Sequence, residues 1–249
     1  MSWMSAGTGL GAGLAIALPA GAIMGSLAAA IAWRLPRDQD WITGRSRCPH
    51  CGTALGFPDL VPVLSWLALR GRCRHCGNGI SARYPVVETA TALAFAAPVL
   101  ANGGLWPDLL VLWLLAITLM VLTLVDLSHR YIPDGCLLIA APAGLGLSLA
   151  GLSIPWTEAV MAGLLLGTGT WLVRYGVGRV VGQEALGLGD VKLFAVAGLW
   201  VGMEGIAPLL LGSALAGLAF RIVWRRQGHE AEMPFGPCIA WVLYMLASW

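Results

Sequence analysis

The sequence predicts an all-α, polytopic membrane protein of about eight transmembrane helices with a small cytosolic zinc-binding lobe. Three observations predict it. The 249 residues are 58% hydrophobic and only 11% charged, with a mean hydropathy of +0.77, a balance outside the range of ordinary water-soluble domains. Apolar runs recur along the chain at lengths near the roughly 20 residues that cross a hydrocarbon core as a helix. Four of the six cysteines fall in the one substantial polar insertion. Unpaired backbone groups cannot face lipid, so helices are the reading for runs this long and this rich in Ala, Leu and Gly.

The first run covers about 8–33. No positive charge precedes it and Arg34 follows it, which predicts a retained first span over 1–34 and not a cleaved signal peptide. The insertion, 35–83, is broken by Pro36, Pro49, Pro58 and Pro62 and reads as the cytosolic lobe. Seven further runs, near 84–101, 105–127, 131–152, 156–173, 187–204, 206–223 and 235–249, make up a transmembrane core over 84–249. Threading the chain with its N-terminus outside puts all 15 basic residues on one side, and the positive-inside bias makes that side cytosolic. The expected location is therefore the cytoplasmic membrane. Asp108, Glu158 and Glu204 fall in the short outer turns. The net charge of +2 reflects topology and gives no argument for nucleic acid; the bilayer is the partner that composition implies.

Within the lobe, Cys48-Pro49-His50-Cys51 and Cys73-Arg74-His75-Cys76 form two C-x2-C pairs separated by 21 residues. Four thiolates so spaced match a closed, tetrahedral structural zinc site. A redox pair and free thiols are the alternatives, and a reducing cytosol argues against stable disulfides. Gly52 and Gly77, one after each pair, suit the tight turns that bring backbone amides to the sulfurs. A lobe of about 50 residues buries too little to be stable alone, so metal binding would hold it together. Cys136 and Cys238 lie in apolar runs and read as packing.

Ionisable groups at membrane depth are costly and tend to mark function. Asp126 closes the third run, Asp134 opens the fourth, and Asp190 ends Gly187-Leu188-Gly189-Asp190. A sixth span of adequate length must reach back to about Gly187, which brings Asp190 to the same layer as Asp126. Two such carboxylates can divide acid and base roles over one shared proton. Taken singly, Asp190 also reads as a helix cap and Asp134 after Pro133 as an ordinary helix start. Asp126 is harder to explain structurally, because a negative charge at a helix C-terminus opposes the dipole. Glu88 reads either as a packed polar residue or as a substrate contact. Two readings compete with an enzyme: a proton-coupled transporter using the same aspartates, and a zinc-organised membrane scaffold.

These motifs together resemble the type IV prepilin peptidases, the prepilin leader peptidase/N-methyltransferase family. The resemblance rests on the paired cysteines, Pro62-Val63-Leu64-Ser65-Trp66, Arg70-Gly71-Arg72-Cys73, Ile80 to Glu88, the Asp126 to Asp134 segment and Gly187-Leu188-Gly189-Asp190, in that order. It implies that Asp126 and Asp190 are catalytic aspartates that cleave basic leaders from prepilins or pseudopilins after a glycine, at the cytosolic face. It also implies methylation of the new N-terminus with S-adenosylmethionine as donor. Gly56-Phe57-Pro58-Asp59 departs from the family's usual Asn-Ile-Pro stretch. Asp38, Asp40, Asp59, Glu184, Glu230 and Glu232 are the cytosolic acids available to a basic leader.

Overall fold

Small residues recur every three or four positions along the first helix, α1 (Leu10–Arg34), and they decide how it packs. Gly13, Ala17, Gly21, Gly25, Ala28 and Ala32 form its buried face, while Ile16, Ile23 and Leu27 are exposed on the rest of its surface. In lipid the hydrophobic effect does not drive helices together, so association depends on close backbone approach, which small residues at this spacing allow. The partner is α3 (Arg83–Asn102). A Cβ added at Gly21 would lie 2.6 Å from the Ala92 Cα, and one at Gly25 would lie 2.8 Å from the Glu88 Cα. Both distances are shorter than any real packing contact.

The computed structural model describes residues 9–40, 44–182, 186–226 and 233–248, and these divide into two compact units, 1–109 and 110–249. In the first unit, α1 ends at a 3-10 turn, Leu35–Arg37, where the Arg37 guanidinium lies 3.6 Å over the Trp33 ring. The cysteine-bearing lobe follows, with one short helix, α2 (Leu64–Ala68), and then α3, which stops at Gly103 in the left-handed region.

The second unit contains α4 (Leu109–His129), which opens it, then α5 (Asp134–Leu149), α6 (Trp156–Val181), α7 (Leu188–Val201), α8 (Ile206–Arg226) and α9 (Gly236–Ala247). Helix α7 packs against α5, α6, α8 and α9. Its tightest contact is with α6, where a Cβ at Gly198 would lie 2.5 Å from the Gly163 amide nitrogen. Against α5 the Trp200 indole N–H donates to the Ala140 carbonyl at 2.9 Å, and the ring fills the space that a side chain at Gly144 would need. Many leucines of α6 and α8, including Leu164, Leu172, Leu211 and Leu218, are exposed, as a lipid-facing surface requires.

Among the described residues no strand forms; the only β pairing is two isolated bridges in the lobe. Among the described residues, five helices are long and apolar enough to cross a membrane: α1, α3, α4, α6 and α8. The apolar runs of α5, α7 and α9 also fold as helices, of 16, 14 and 12 residues. At 1.5 Å per residue these span about 18–24 Å, less than a full hydrocarbon core. Pro133, in extended backbone, caps the start of α5, and Pro237 occupies the first turn of α9, so both begin late.

Replacing Gly21 by Val would force the α1 and α3 backbones apart. Overpacking of this kind costs about 1–3 kcal/mol, so Gly21→Val should lower the unfolding temperature in detergent, whereas Val at the open position Gly11, which has nothing within 4 Å, should leave it nearly unchanged.

Candidate active site and metal centre

The lobe consists of two copies of one turn. In the first, the Cys48 N–H donates to the Thr53 carbonyl at 3.0 Å and the Gly52 N–H to the Cys48 carbonyl at 2.9 Å; in the second, the Cys73 N–H donates to the Asn78 carbonyl at 2.8 Å and the Gly77 N–H to the Cys73 carbonyl at 2.9 Å. Each turn is closed by a bridge, Arg47 to Ala54 and Arg72 to Gly79. Gly52 and Gly77 sit at φ +69° and +72°, where a Cβ would be strained, so the glycine expectation holds for a conformational reason.

The four sulfurs of Cys48, Cys51, Cys73 and Cys76 lie within 4.8 Å of one another, and Cys48 Sγ is 3.9 Å from Cys76 Sγ. A tetrahedron with zinc–sulfur bonds of about 2.3 Å places its sulfurs about 3.8 Å apart. The donor set therefore fits a metal such as zinc, and it fills all four positions. Within this cluster the contacts with the Thr53 hydroxyl and amide push the Cys51 thiol down to about 6, while at Cys76 the Asn78 amide is outweighed by burial and the neighbouring sulfurs, which push that thiol up to about 11; a bound metal would draw all four to the thiolate. Asp59 docks this region by pairing with Arg74 Nε at 2.9 Å. His50 and His75 are exposed and stand outside the sulfur cluster.

In the second unit, Asp126 lies in the last turn of α4 and is 5% exposed. Its Oδ2 accepts a hydrogen bond from the Gly236 amide at 3.0 Å. Gly236 is the first residue of α9, so the donor is one of the orphan amides at that helix's N-terminus, a natural anion site. Asp190 is the third residue of α7, and its carboxylate accepts the amide of Gly187, the N-cap. This is the acidic half of a capping box, so Asp190 does act as a cap. It also lies within electrostatic reach of Asp126, and capping leaves its remaining lone pairs for other work.

Ile132 connects the two helix starts. A Cβ at Gly189 would lie 3.0 Å from the Ile132 Cβ, and one at Gly236 would lie 3.2 Å from its Cδ1 and 2.7 Å from Asp126 Oδ2. The G-x-G-D turn thus has separable parts: Gly187 donates an amide to Asp190, and Gly189 leaves room for Ile132. Cys238, one turn into α9, is close enough to feel both carboxylates.

Asp134 stands apart from this pair. It opens α5 and accepts a salt bridge from Lys192 at 2.8 Å, with side chains 67% and 46% exposed, an ion pair worth about 0–1 kcal/mol. Glu88, in the first unit, is buried and accepts the Val63 amide at 2.7 Å. His129 meets Tyr131 edge-on. Glu184, His229, Glu230 and Glu232 lie outside the described residues.

Sequence reasoning did not find Ile132 or Gly236. The signal was a glycine between Phe235 and Pro237 at the start of the last apolar run, and an Ile-Pro step between the two aspartates Asp126 and Asp134.

An all-helical membrane chain with a four-thiolate lobe and two backbone-capped aspartates, one buried and one half-buried, is of the membrane aspartic-peptidase type. Comparison with known proteins narrows this. Residues 20–101 match the profile described as the bacterial Peptidase A24 N-terminal domain, and residues 113–222 match the type IV leader peptidase family. A prepilin leader peptidase/N-methyltransferase of Pectobacterium carotovorum subsp. carotovorum is 34% identical over 78% of this chain and 71% of its own length. A protein of the same name from Aeromonas hydrophila is 37% identical over 82% of this chain and 71% of its own. A type 4 prepilin-like proteins leader peptide-processing enzyme of Escherichia coli O78:H11 is 34% identical over 79% and 72%. No solved structure matches. The chain belongs to the type IV leader peptidase family.

Two outcomes follow from this geometry. Protein purified without chelator should carry one zinc per chain by metal analysis, and changing Cys48, Cys51, Cys73 and Cys76 together to Ser should abolish it. Gly236→Ala should keep the zinc but displace the Asp126 carboxylate, lowering peptidase turnover by about 10²-fold, as small displacements of reacting groups do.

Proposed function

We propose that this chain is an eight-span protein of the bacterial cytoplasmic membrane that removes basic leaders from prepilins or pseudopilins at the cytosolic face and then methylates the new N-terminus. The observation that carries the first activity is that Asp126, buried, and Asp190, half-buried, lie within electrostatic reach of each other and are each held by one backbone amide. Within electrostatic reach of each other, two carboxylates share a proton more readily than they both ionise. The ionised one takes a proton from water, and the resulting hydroxide oxygen attacks the scissile carbonyl. The protonated one then gives its proton to the leaving nitrogen as the C–N bond breaks. The products are the leader's carboxylate and a free amine on the mature protein.

The topology of this reading divides the chain as 1–34, 35–83 and 84–249: first span, cytosolic lobe and transmembrane core. Sorting of the basic residues supports the orientation, and helix formation by all eight apolar runs supports the span number. Zinc in the lobe would serve stability, since four thiolates leave no position for water. The methyl-transfer activity, with S-adenosylmethionine as donor, is supported by the names of the relatives and by the match to the family's N-terminal domain.

Purified protein in detergent, incubated with a prepilin and S-adenosylmethionine and read by mass spectrometry, should yield a product lacking its leader and carrying one added methyl group. Because detergent abolishes any gradient, cleavage there excludes a transporter, and an intact substrate would refute the peptidase reading.

A further inference from the structure

A hydroxyl inside an apolar helix has one ready partner, the backbone carbonyl a turn behind it. Thr91, Thr118, Ser128 and Ser148 all take it, donating to Val87, Leu114, Leu124 and Gly144 at 2.9, 2.8, 2.8 and 3.2 Å. Thr123, on the same helix as Thr118 and Ser128, does not. It is 6% exposed, and its Oγ1 has no hydrogen-bond partner among the described residues. Leu119, Leu122, Leu124 and Val125 around it on α4 are buried and apolar. A buried hydroxyl left unmade in this way is costly and needs a reason. Ser213, on α8, is likewise without a partner, but only Thr123 shares a helix with a carboxylate of the site.

That carboxylate is three residues on. Residues at i and i+3 lie on one face of a helix with Cβ atoms about 5–6 Å apart. Helical side chains also lean toward the N-terminus, so the Asp126 carboxylate leans over the turn that carries Thr123. Its Oδ2 is already held from the other side by the Gly236 amide at 3.0 Å. Two hydrogen bonds of about 2.8 Å meeting at one water oxygen span a gap of this order. The orphaned hydroxyl and the reacting acid are thus one water apart on a single helix face.

We propose that Thr123 positions the attacking water of the peptidase reaction. Its Oγ1 accepts one O–H of that water, and the other O–H points to the ionised carboxylate of the pair. A lone pair on the water oxygen is then left for the scissile carbonyl. In the step itself the carboxylate takes the proton of the O–H that faces it, the bond from the water oxygen to the carbonyl carbon forms, and the Thr123 hydroxyl keeps its own proton throughout. The proposal rests on the peptidase reading above. Because the hydroxyl orients water and does not touch the prepilin, its loss enters turnover and not substrate binding. A hydroxyl that served packing alone would behave otherwise: valine has nearly the same shape and leaves nothing unmade, so it would serve as well or better.

The test uses the full chain with its metal, in detergent, cleaving a prepilin. Thr123→Val, Thr123→Ser and Thr118→Val are compared for kcat, KM and unfolding temperature. Thr123→Val should lower kcat about tenfold or more, as loss of one hydrogen bond to a reacting group predicts, with KM within about twofold of the unchanged protein. Its unfolding temperature should be unchanged or raised, since a buried orphan has been removed. Thr123→Ser keeps the hydroxyl and should recover most of the turnover. Thr118→Val, which removes a hydroxyl already bonded to Leu114, should leave kcat unchanged. Wild-type kcat in Thr123→Val overturns the proposal, and so does an equal loss in Thr123→Ser or Thr118→Val. Slow turnover of Thr123→Val with a lowered unfolding temperature assigns the residue to packing and overturns it too. Failure of the unchanged protein to cleave the prepilin overturns the peptidase reading and this inference with it.

Discussion

A carboxylate carried to membrane depth costs about 2.5–3.5 kcal/mol or more unless donors meet it, and here the donors are main-chain amides at the starts of two helices. The amide of Gly236, opening α9, meets Asp126, and the amide of Gly187, capping α7, meets Asp190. The start of α9 is buried with Asp126, whereas α7 begins at an exposed Gly187 with Asp190 half-buried, and both helices are short, 14 and 12 residues. Helix α4 does the opposite: it runs unbroken over 21 residues and delivers Asp126 from its last turn. The glycines follow from the same requirement. A side chain at Gly236 would strike the carboxylate it serves, and side chains at Gly189 or Gly236 would strike Ile132.

The first unit meets a different constraint with a similar means, close backbone approach in place of a large apolar core. Glycines and alanines draw α1 onto α3. Two glycine-closed turns gather four sulfurs into one cluster, which stands in for the core that so small a lobe cannot build. Where α3 meets the lobe, Glu88 is held at the α1 packing face and pinned to the turn at Val63.

Much of this was legible in the sequence, because the signals are local. Every apolar run became a helix, the spacing of the cysteines located the sulfur cluster, and the positive-φ glycines sat where the thiol turns needed them. Asp190 illustrates what local reading leaves open: cap and functional acid looked like alternatives, and the carboxylate that caps α7 also lies within electrostatic reach of Asp126. Run length did not reveal that α5, α7 and α9 are short, since their starts are set by Pro133, Gly187 and the Phe235 to Pro237 turn rather than by hydropathy. Ile132 and Gly236 carry no chemistry of their own. Their importance arises from contacts across more than 50 residues of chain, such as the 110 that separate Gly236 from Asp126, and no periodicity encodes that.

The central claim is that Asp126 and Asp190 act as one unit. The most direct measurement is leader cleavage by Asp126→Asn, Asp190→Asn and the double variant, each checked for zinc content and for an unchanged unfolding profile. Each single change should lower the rate by roughly 10²–10⁴-fold or more, and the double variant should be little worse than either, since groups that act together are not additive. Cleavage near the wild-type rate in either single variant would contradict the account.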